Sequence, residues 1–278
     1  MVTTLHTIDS LGESHEKCPV RLLVSVRDLC EAEIAIAAQV DWLDVKDPNH
    51  GPLGRPCIDT AMAIEQLAIQ MSPGLPVSVA LGESQEASIQ ELMDYIQHFN
   101  EGTSFKLAFS TRKHESPSAM PLDVEHQNWS LLFRELAGQL SQGRLIPVFY
   151  ADREFARSPT WEAIVKLALE VGGDRILIDT FNKDGRSLVN HLNYDILVEM
   201  VHFATHQGIS VAAAGSLRKP EISALMGVGA DVIGVRGAAC KAANRVDSID
   251  PASLQELSAI FKSQFGGVMD PQINLRKP

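Results

Sequence analysis

Short apolar runs recur along the chain, each followed by a stretch whose apolar residues return at helical spacing. The runs cover residues 22–26, 42–46, 77–81, 105–109, 145–150, 175–179, 209–214 and 231–235. Each is apolar at most positions rather than at alternate ones, the pattern of a strand covered on both faces. Helix starts fall between them. Asp28 with Glu31 reads as a capping pair, Ser158 followed by Pro159 as an N-cap and first helical residue, and Asp250 followed by Pro251 as another start. A further helix is expected to begin near Trp129. Eight strands alternating with helices predict an α/β chain closed into a single (β/α)8 TIM barrel with irregular N- and C-terminal extensions. An open doubly wound sheet is the rival, but it would carry a glycine-rich turn after its first strand, and residues 25–28 hold no glycine.

The polar, aperiodic residues 1–20 read as a flexible extension, 21–265 as the barrel domain and 266–278 as a tail. Residues 110–128 are polar and too many for a tight connector, which suggests a lid or a surface insertion. With 278 residues and 45% hydrophobic content, the chain has ample material for one large core. Its net charge of −11 argues against nucleic acid, whose affinity comes from neutralised phosphates. The 4 cysteines (Cys18, Cys30, Cys57 and Cys240) form no CxxC pair and suggest a reducing compartment. No run approaches the roughly 18 apolar residues of a membrane span, and no secretory h-region opens the chain. A soluble cytoplasmic protein is expected, with a homo-oligomer left open.

Charges at strand ends carry the candidate chemistry. Asp44 and Lys46 lie two residues apart in Leu43-Asp44-Val45-Lys46-Asp47-Pro48, so strand alternation puts them on one face. A simple ion pair at the strand end accounts for them about as well as a site does. Lys106 sits inside the apolar run Phe105-Lys106-Leu107-Ala108-Phe109, where it needs an anion, a carboxylate or a route outward between helices. Asp179 ends the sixth run, and Lys183 follows four residues later. These five fall on even-numbered strands, whose ends surround one barrel mouth. Crowded, partly desolvated ammonium groups favour the neutral amine, which attacks a carbonyl to form a Schiff base, with the carboxylates as proton shuttles.

The seventh run ends in Ala214-Gly215-Ser216-Leu217 and the eighth in Gly234-Val235-Arg236-Gly237-Ala238. In barrels these loops bind phosphate through backbone N–H groups. Gly215, Ser216, Arg236 and Gly237 are therefore candidate phosphate ligands, with Ser25 at the first strand end as a further donor. The glycines also suit tight turns without any ligand. Asp152 at the fifth strand end either orients a lysine or caps a helix. The nine histidines form no recognisable ligand pattern, and neither a metal nor another cofactor is expected.

The order of Asp44-Val45-Lys46-Asp47-Pro48, Phe105-Lys106, Asp179-Thr180 with Lys183-Asp184-Gly185, Ala214-Gly215-Ser216-Leu217 and Gly234-Val235-Arg236-Gly237-Ala238-Ala239-Cys240 resembles the (5-formylfuran-3-yl)methyl phosphate synthase family. The resemblance covers roughly residues 21–245. It implies a barrel that condenses two molecules of glyceraldehyde 3-phosphate into a phosphorylated furfural for methanofuran-type cofactors. Lys46 then matches the Schiff-base lysine, and Lys106, Lys183, Asp179 and Asp44 the assisting residues. Asp47 stands where the family usually has Asn, and Pro52 where Ser is common. The implied partner is a small phosphorylated aldehyde. Another triose-phosphate aldolase or isomerase, or a non-enzymatic binder of phosphorylated metabolites, stays open on the residues alone.

Overall fold

The computed structural model describes residues 19–111 and 122–263, with only the backbone course given for 122–127. The expected extension 1–20 lies almost wholly outside the described residues, and the tail 266–278 lies entirely outside them. Eight strands follow one another around a closed barrel, each parallel to its neighbours: β1 (Arg21–Val26), β2 (Trp42–Val45), β3 (Val77–Glu83), β4 (Ser104–Ala108), β5 (Leu145–Tyr150), β6 (Arg175–Asp179), β7 (Ser210–Ala213) and β8 (Val232–Val235). The intervening helices are α1 (Leu29–Ala37), α2 (Ile58–Met71), α3 (Ile89–Ile96), α4 (Leu122–Gly138), α5 (Arg153–Ala156), α6 (Trp161–Glu170), α7 (Leu188–His191), α8 (Tyr194–His206), α9 (Lys219–Leu225) and α10 (Pro251–Lys262). The closed order is the predicted (β/α)8 barrel. No helix among the described residues is long and apolar enough to cross a membrane.

Burial on both strand faces explains the apolar runs. Outward residues such as Val24, Val45, Val79, Phe105 and Ile178 join the helices in one large core. Inward residues form two smaller clusters. Ala80, Ala108, Ile146, Val148, Tyr150 and Leu177 make one, and Leu23, Trp42 and Val232 the other. The parallel register sets Ser25 beside Asp44, and Asp44 beside Ser78. It also sets Tyr150 beside Asp179.

Two helix starts agree with the sequence pattern. The Asp28 carboxylate accepts from the Glu31 backbone N–H at 2.9 Å, and the Asp250 carboxylate accepts from that of Ser253 at 2.9 Å. The Glu31 side chain does not close the capping pair; it is buried and turned towards Arg236. Two starts differ. The Thr160 hydroxyl, not Ser158, accepts from the first turn of α6, so that helix begins two residues late. Helix α4 begins at Leu122 rather than near Trp129. The sequence Leu-Asp-Val-Glu-His-Gln-Asn over residues 122–128 is mostly polar, so an apolar count passes over it. Residues 110–128 are thus helical from 122 onward, and 112–121 lie outside the described residues.

Candidate active site

Lys46 is the first residue after β2, while Asp44, Lys106 and Asp179 lie on strands near the same barrel end. The five candidate catalytic residues and the five candidate phosphate ligands all line one cavity of about 560 Å³ at the C-terminal mouth, and Asp152 does not. Within it the five charges from the even-numbered strands and the loops after them sort into two pairs and one remainder. Asp44 is buried and ion-paired with Lys106. Its oxygens also accept from the Ser25 hydroxyl at 2.8 Å and the Ser78 hydroxyl at 3.0 Å. Burial pushes the Asp44 carboxyl up, but Lys106, Lys46 and the Ser25 hydroxyl outweigh it, leaving its pKa below the usual value. On the other side, the Lys183 ammonium donates to Asp179 at 2.8 Å and to the Thr180 hydroxyl at 3.1 Å. Asp179 also accepts from the Thr180 backbone N–H at 2.7 Å. Burial opposes its ionisation, yet Lys183 and Lys46 hold its pKa low.

Lys46 is the remainder. Its ammonium makes no hydrogen bond or ion pair with a described residue, although the side chain is only 8% exposed. Burial drives its pKa down to about 7, against the raising effect of Asp179 and Asp44 and with help from Lys106 and Lys183. Because each carboxylate already has a lysine of its own, neither is left to hold a proton on Lys46. An amine that is about half neutral near pH 7 is a competent nucleophile towards a carbonyl.

The loops complete the mouth. Gly215 has φ +111°, and an added Cβ would lie 2.9 Å from Thr180 Cγ2, so no other residue fits there without displacement. Ser216 follows with φ +51°. The backbone N–H groups of Gly215, Ser216 and Leu217, residues of the cavity wall, donate to no described residue. Arg236 has a different setting from the expected one. It is 6% exposed, and its fork is engaged by the buried Glu31 carboxylate. Asp152, whose role the sequence left between two readings, clamps the loop after β6. Its carboxylate accepts from Phe181 N at 2.7 Å and Asn182 N at 2.8 Å, which fixes the segment that carries Lys183.

Sequence reasoning missed Ser78, Thr180 and Arg245. Ser78 reaches Asp44 only through the β2–β3 register, and Arg245 reaches the cavity only through the loop after β8. Thr180 sits next to Asp179, so adjacency to a candidate was an available signal.

Fold and site together define a lysine-centred (β/α)8-barrel enzyme. The chain belongs to the 4-HFC-P synthase family, whose model matches residues 22–258. It is 31% identical over 226 residues to the (5-formylfuran-3-yl)methyl phosphate synthase of Methanococcus maripaludis, covering 81% of this chain and 91% of that one. The protein of the same name from Methanocaldococcus jannaschii is 29% identical over 255 residues, covering 87% of this chain and 99% of its own. Among solved structures, phosphoribosyl anthranilate isomerase from Thermus thermophilus superposes with a TM-score of 0.56 at 12% identity, over 88% of this chain and 100% of that one. Dihydrodipicolinate synthase from Thermotoga maritima gives 0.55 at 12% identity, over 89% and 77%. These two structures share the fold.

Proposed function

We propose that this protein is a (5-formylfuran-3-yl)methyl phosphate synthase, condensing two glyceraldehyde 3-phosphate molecules through a Schiff base on Lys46. The observation that carries the reading is the buried, unpaired Lys46 amine with a pKa near 7 between two lysine–carboxylate pairs. One triose isomerises to the ketone through an enediol-like state. The neutral Lys46 amine adds to that carbonyl, and loss of water gives the iminium. The second triose loses the proton beside its aldehyde to a carboxylate and expels its phosphate, leaving the enol CH2=C(OH)–CHO. The methylene carbon of that enol attacks the iminium carbon held on Lys46 while the enol hydroxyl becomes a ketone, which gives the branched six-carbon skeleton of the product. The free hydroxyl of the first triose closes onto that ketone; expulsion of the Lys46 amine and loss of a second water give the furan ring, so that overall one phosphate and two waters leave.

Asp44 and Asp179 serve as proton acceptors, and Lys106 and Lys183 return protons and stabilise oxyanions as they form. The amides of Gly215, Ser216 and Leu217 hold a phosphoryl group, with Ser25 and Gly237 completing the wall. The barrel domain, proposed to span residues 21–265, works in the cytoplasm on a small phosphorylated aldehyde and not on nucleic acid. Self-association is compatible with this reading and does not enter the mechanism. Incubation with glyceraldehyde 3-phosphate should release inorganic phosphate and yield a product of the furfural phosphate mass. Borohydride should trap an adduct on Lys46. Reversible aldol products or isomerisation without phosphate release would point to a different triose-phosphate enzyme and overturn the assignment.

A further inference from the structure

All five guanidinium N–H groups of Arg236 have protein partners. Nε donates to Arg245 O at 2.6 Å, and Nη1 to Ser25 O at 2.9 Å and Glu31 at 2.8 Å. Nη2 reaches Glu31 at 3.3 Å and Asp247 O at 3.4 Å. The residue therefore grips the backbone of the loop after β8 at two carbonyls. That loop is strained: Ala242 and Ala243 both lie in the left-handed region, with φ of 49° and 54°. Gly237 accommodates it, since a Cβ there would stand 3.2 Å from Ala243 O. The outcome of the strain and the grip is that Arg245 is carried onto the wall of the active-site cavity.

Arg245 differs from every other cation on that wall. Lys106, Lys183 and Arg236 have buried carboxylate partners, while Arg218 and Lys219 pair with Glu221 and Glu256. Lys46 is the near-neutral nucleophile. Arg245 donates once, to Gly51 O at 3.0 Å, and has no ion pair with a described residue. The rest of its fork is open on a largely desolvated, permanently charged group, the arrangement that favours a bidentate oxyanion. Two phosphorylated trioses present two phosphoryl groups at once, and the amides of Gly215, Ser216 and Leu217 account for one.

We propose that Arg245 holds the second phosphoryl group of the substrate pair, and that Arg236 is a positioning residue that fixes Arg245 in place. The proposal rests on the phosphorylated-aldehyde reading above. Its test compares borohydride trapping on Lys46 with glyceraldehyde 3-phosphate and with unphosphorylated glyceraldehyde. Arg245→Ala should raise KM for glyceraldehyde 3-phosphate about 30-fold or more, as loss of a charge-assisted phosphate contact implies. Trapping of glyceraldehyde should stay unchanged, and Arg245→Lys should recover part of the loss. Arg236→Lys should reproduce the rise in KM, also without altering glyceraldehyde trapping. Isothermal titration with inorganic phosphate gives a readout independent of turnover, and Arg245→Ala should weaken that binding at least about 10-fold. An Arg245→Ala enzyme that keeps the preference for the phosphorylated aldehyde and its phosphate affinity would overturn the assignment. An Arg236→Lys enzyme with wild-type KM would overturn the positioning role. Failure of the wild type to form furfural phosphate, with phosphate binding still sensitive to Arg245, would sink the reaction and leave the phosphoryl site standing.

Discussion

The two mouths of the barrel are built from the same strands and the same inward-facing register, yet they hold charge in opposite ways. At the C-terminal mouth, Asp44, Lys46, Lys106, Asp179 and Lys183 crowd around one cavity, and one ammonium is left without a carboxylate of its own. At the N-terminal mouth, two residues before Asp44, Trp42 is 3% exposed and stacks beneath cations. The Arg175 guanidinium carbon is 4.9 Å from its ring centroid and that of Arg21 is 5.6 Å away. There the positive charge rests on an aromatic face and stays partly in solvent, which is favourable. At the other end, desolvation of a lysine is unfavourable and is what makes its amine reactive. One end closes the barrel; the other tunes a nucleophile. This division agrees with the general placement of chemistry at the C-terminal face of such barrels and of stability at the N-terminal face.

Substitutions at each mouth should separate activity from stability. The largest effect is expected from Lys46→Met, which removes the nucleophile and should lower kcat by roughly 10⁴-fold or more, read as phosphate release. The same variant should melt at or above the wild-type temperature. Because folding depresses the Lys46 pKa from 10.5 to about 7, the folded chain binds fewer protons than the unfolded chain across that window. Its burden on stability is therefore fully present below about pH 7 and fades as pH rises towards 10.5, so the gain in melting temperature should be greatest in acid. A Lys46→Met enzyme with wild-type turnover would end the comparison.

Trp42→Ala should do the reverse. Loss of a large buried ring costs about 3–5 kcal/mol in denaturant unfolding, while kcat per folded molecule should hold near its wild-type value. A loss of kcat without a loss of stability would show that the two mouths are not separate. A finer effect is the pH profile of kcat/KM. It should rise about tenfold per pH unit on the acid side and level off above about 7, as the Lys46 amine loses its proton. Lys183→Met, whatever it does to the maximal rate, removes a like charge and should move that limb to higher pH; movement to lower pH would contradict the electrostatic account. The smallest change is expected from Arg21→Ala, about 0.5–1 kcal/mol from one cation–aromatic contact, with the pH profile untouched.

Much of this architecture was legible in the chain. The eight apolar runs mark the strands to within a few residues, since burial on both faces leaves little room for polar side chains. Asp28 and Asp250 announce their helices because a cap is a local interaction. The start of α6 was misplaced because Ser158 and Thr160 are both competent caps, and only the folded backbone puts the Thr160 hydroxyl against the Ala163 N–H. The five lysine and aspartate candidates were found because charge in or beside an apolar run is conspicuous, and the other five because they stand at the ends of the first, seventh and eighth runs; the structure brings all ten to one cavity.

The sequence by itself determined the alternation of strands and helices, the placement of charges at even strand ends and the family to which the chain belongs. It did so because periodicity and motif spacing are carried by neighbours along the chain. Tertiary structure alone decided which lysine goes unpaired, since the pairing of Asp44 with Lys106 joins residues 62 positions apart. It also decided the fates of two arginines, of which sequence reasoning had singled out only Arg236. Arg236 is drawn inward by Glu31, 205 positions away, and Arg245 is left facing the cavity. Desolvation and ion pairing depend on neighbours in space, and barrel closure is what supplies those neighbours.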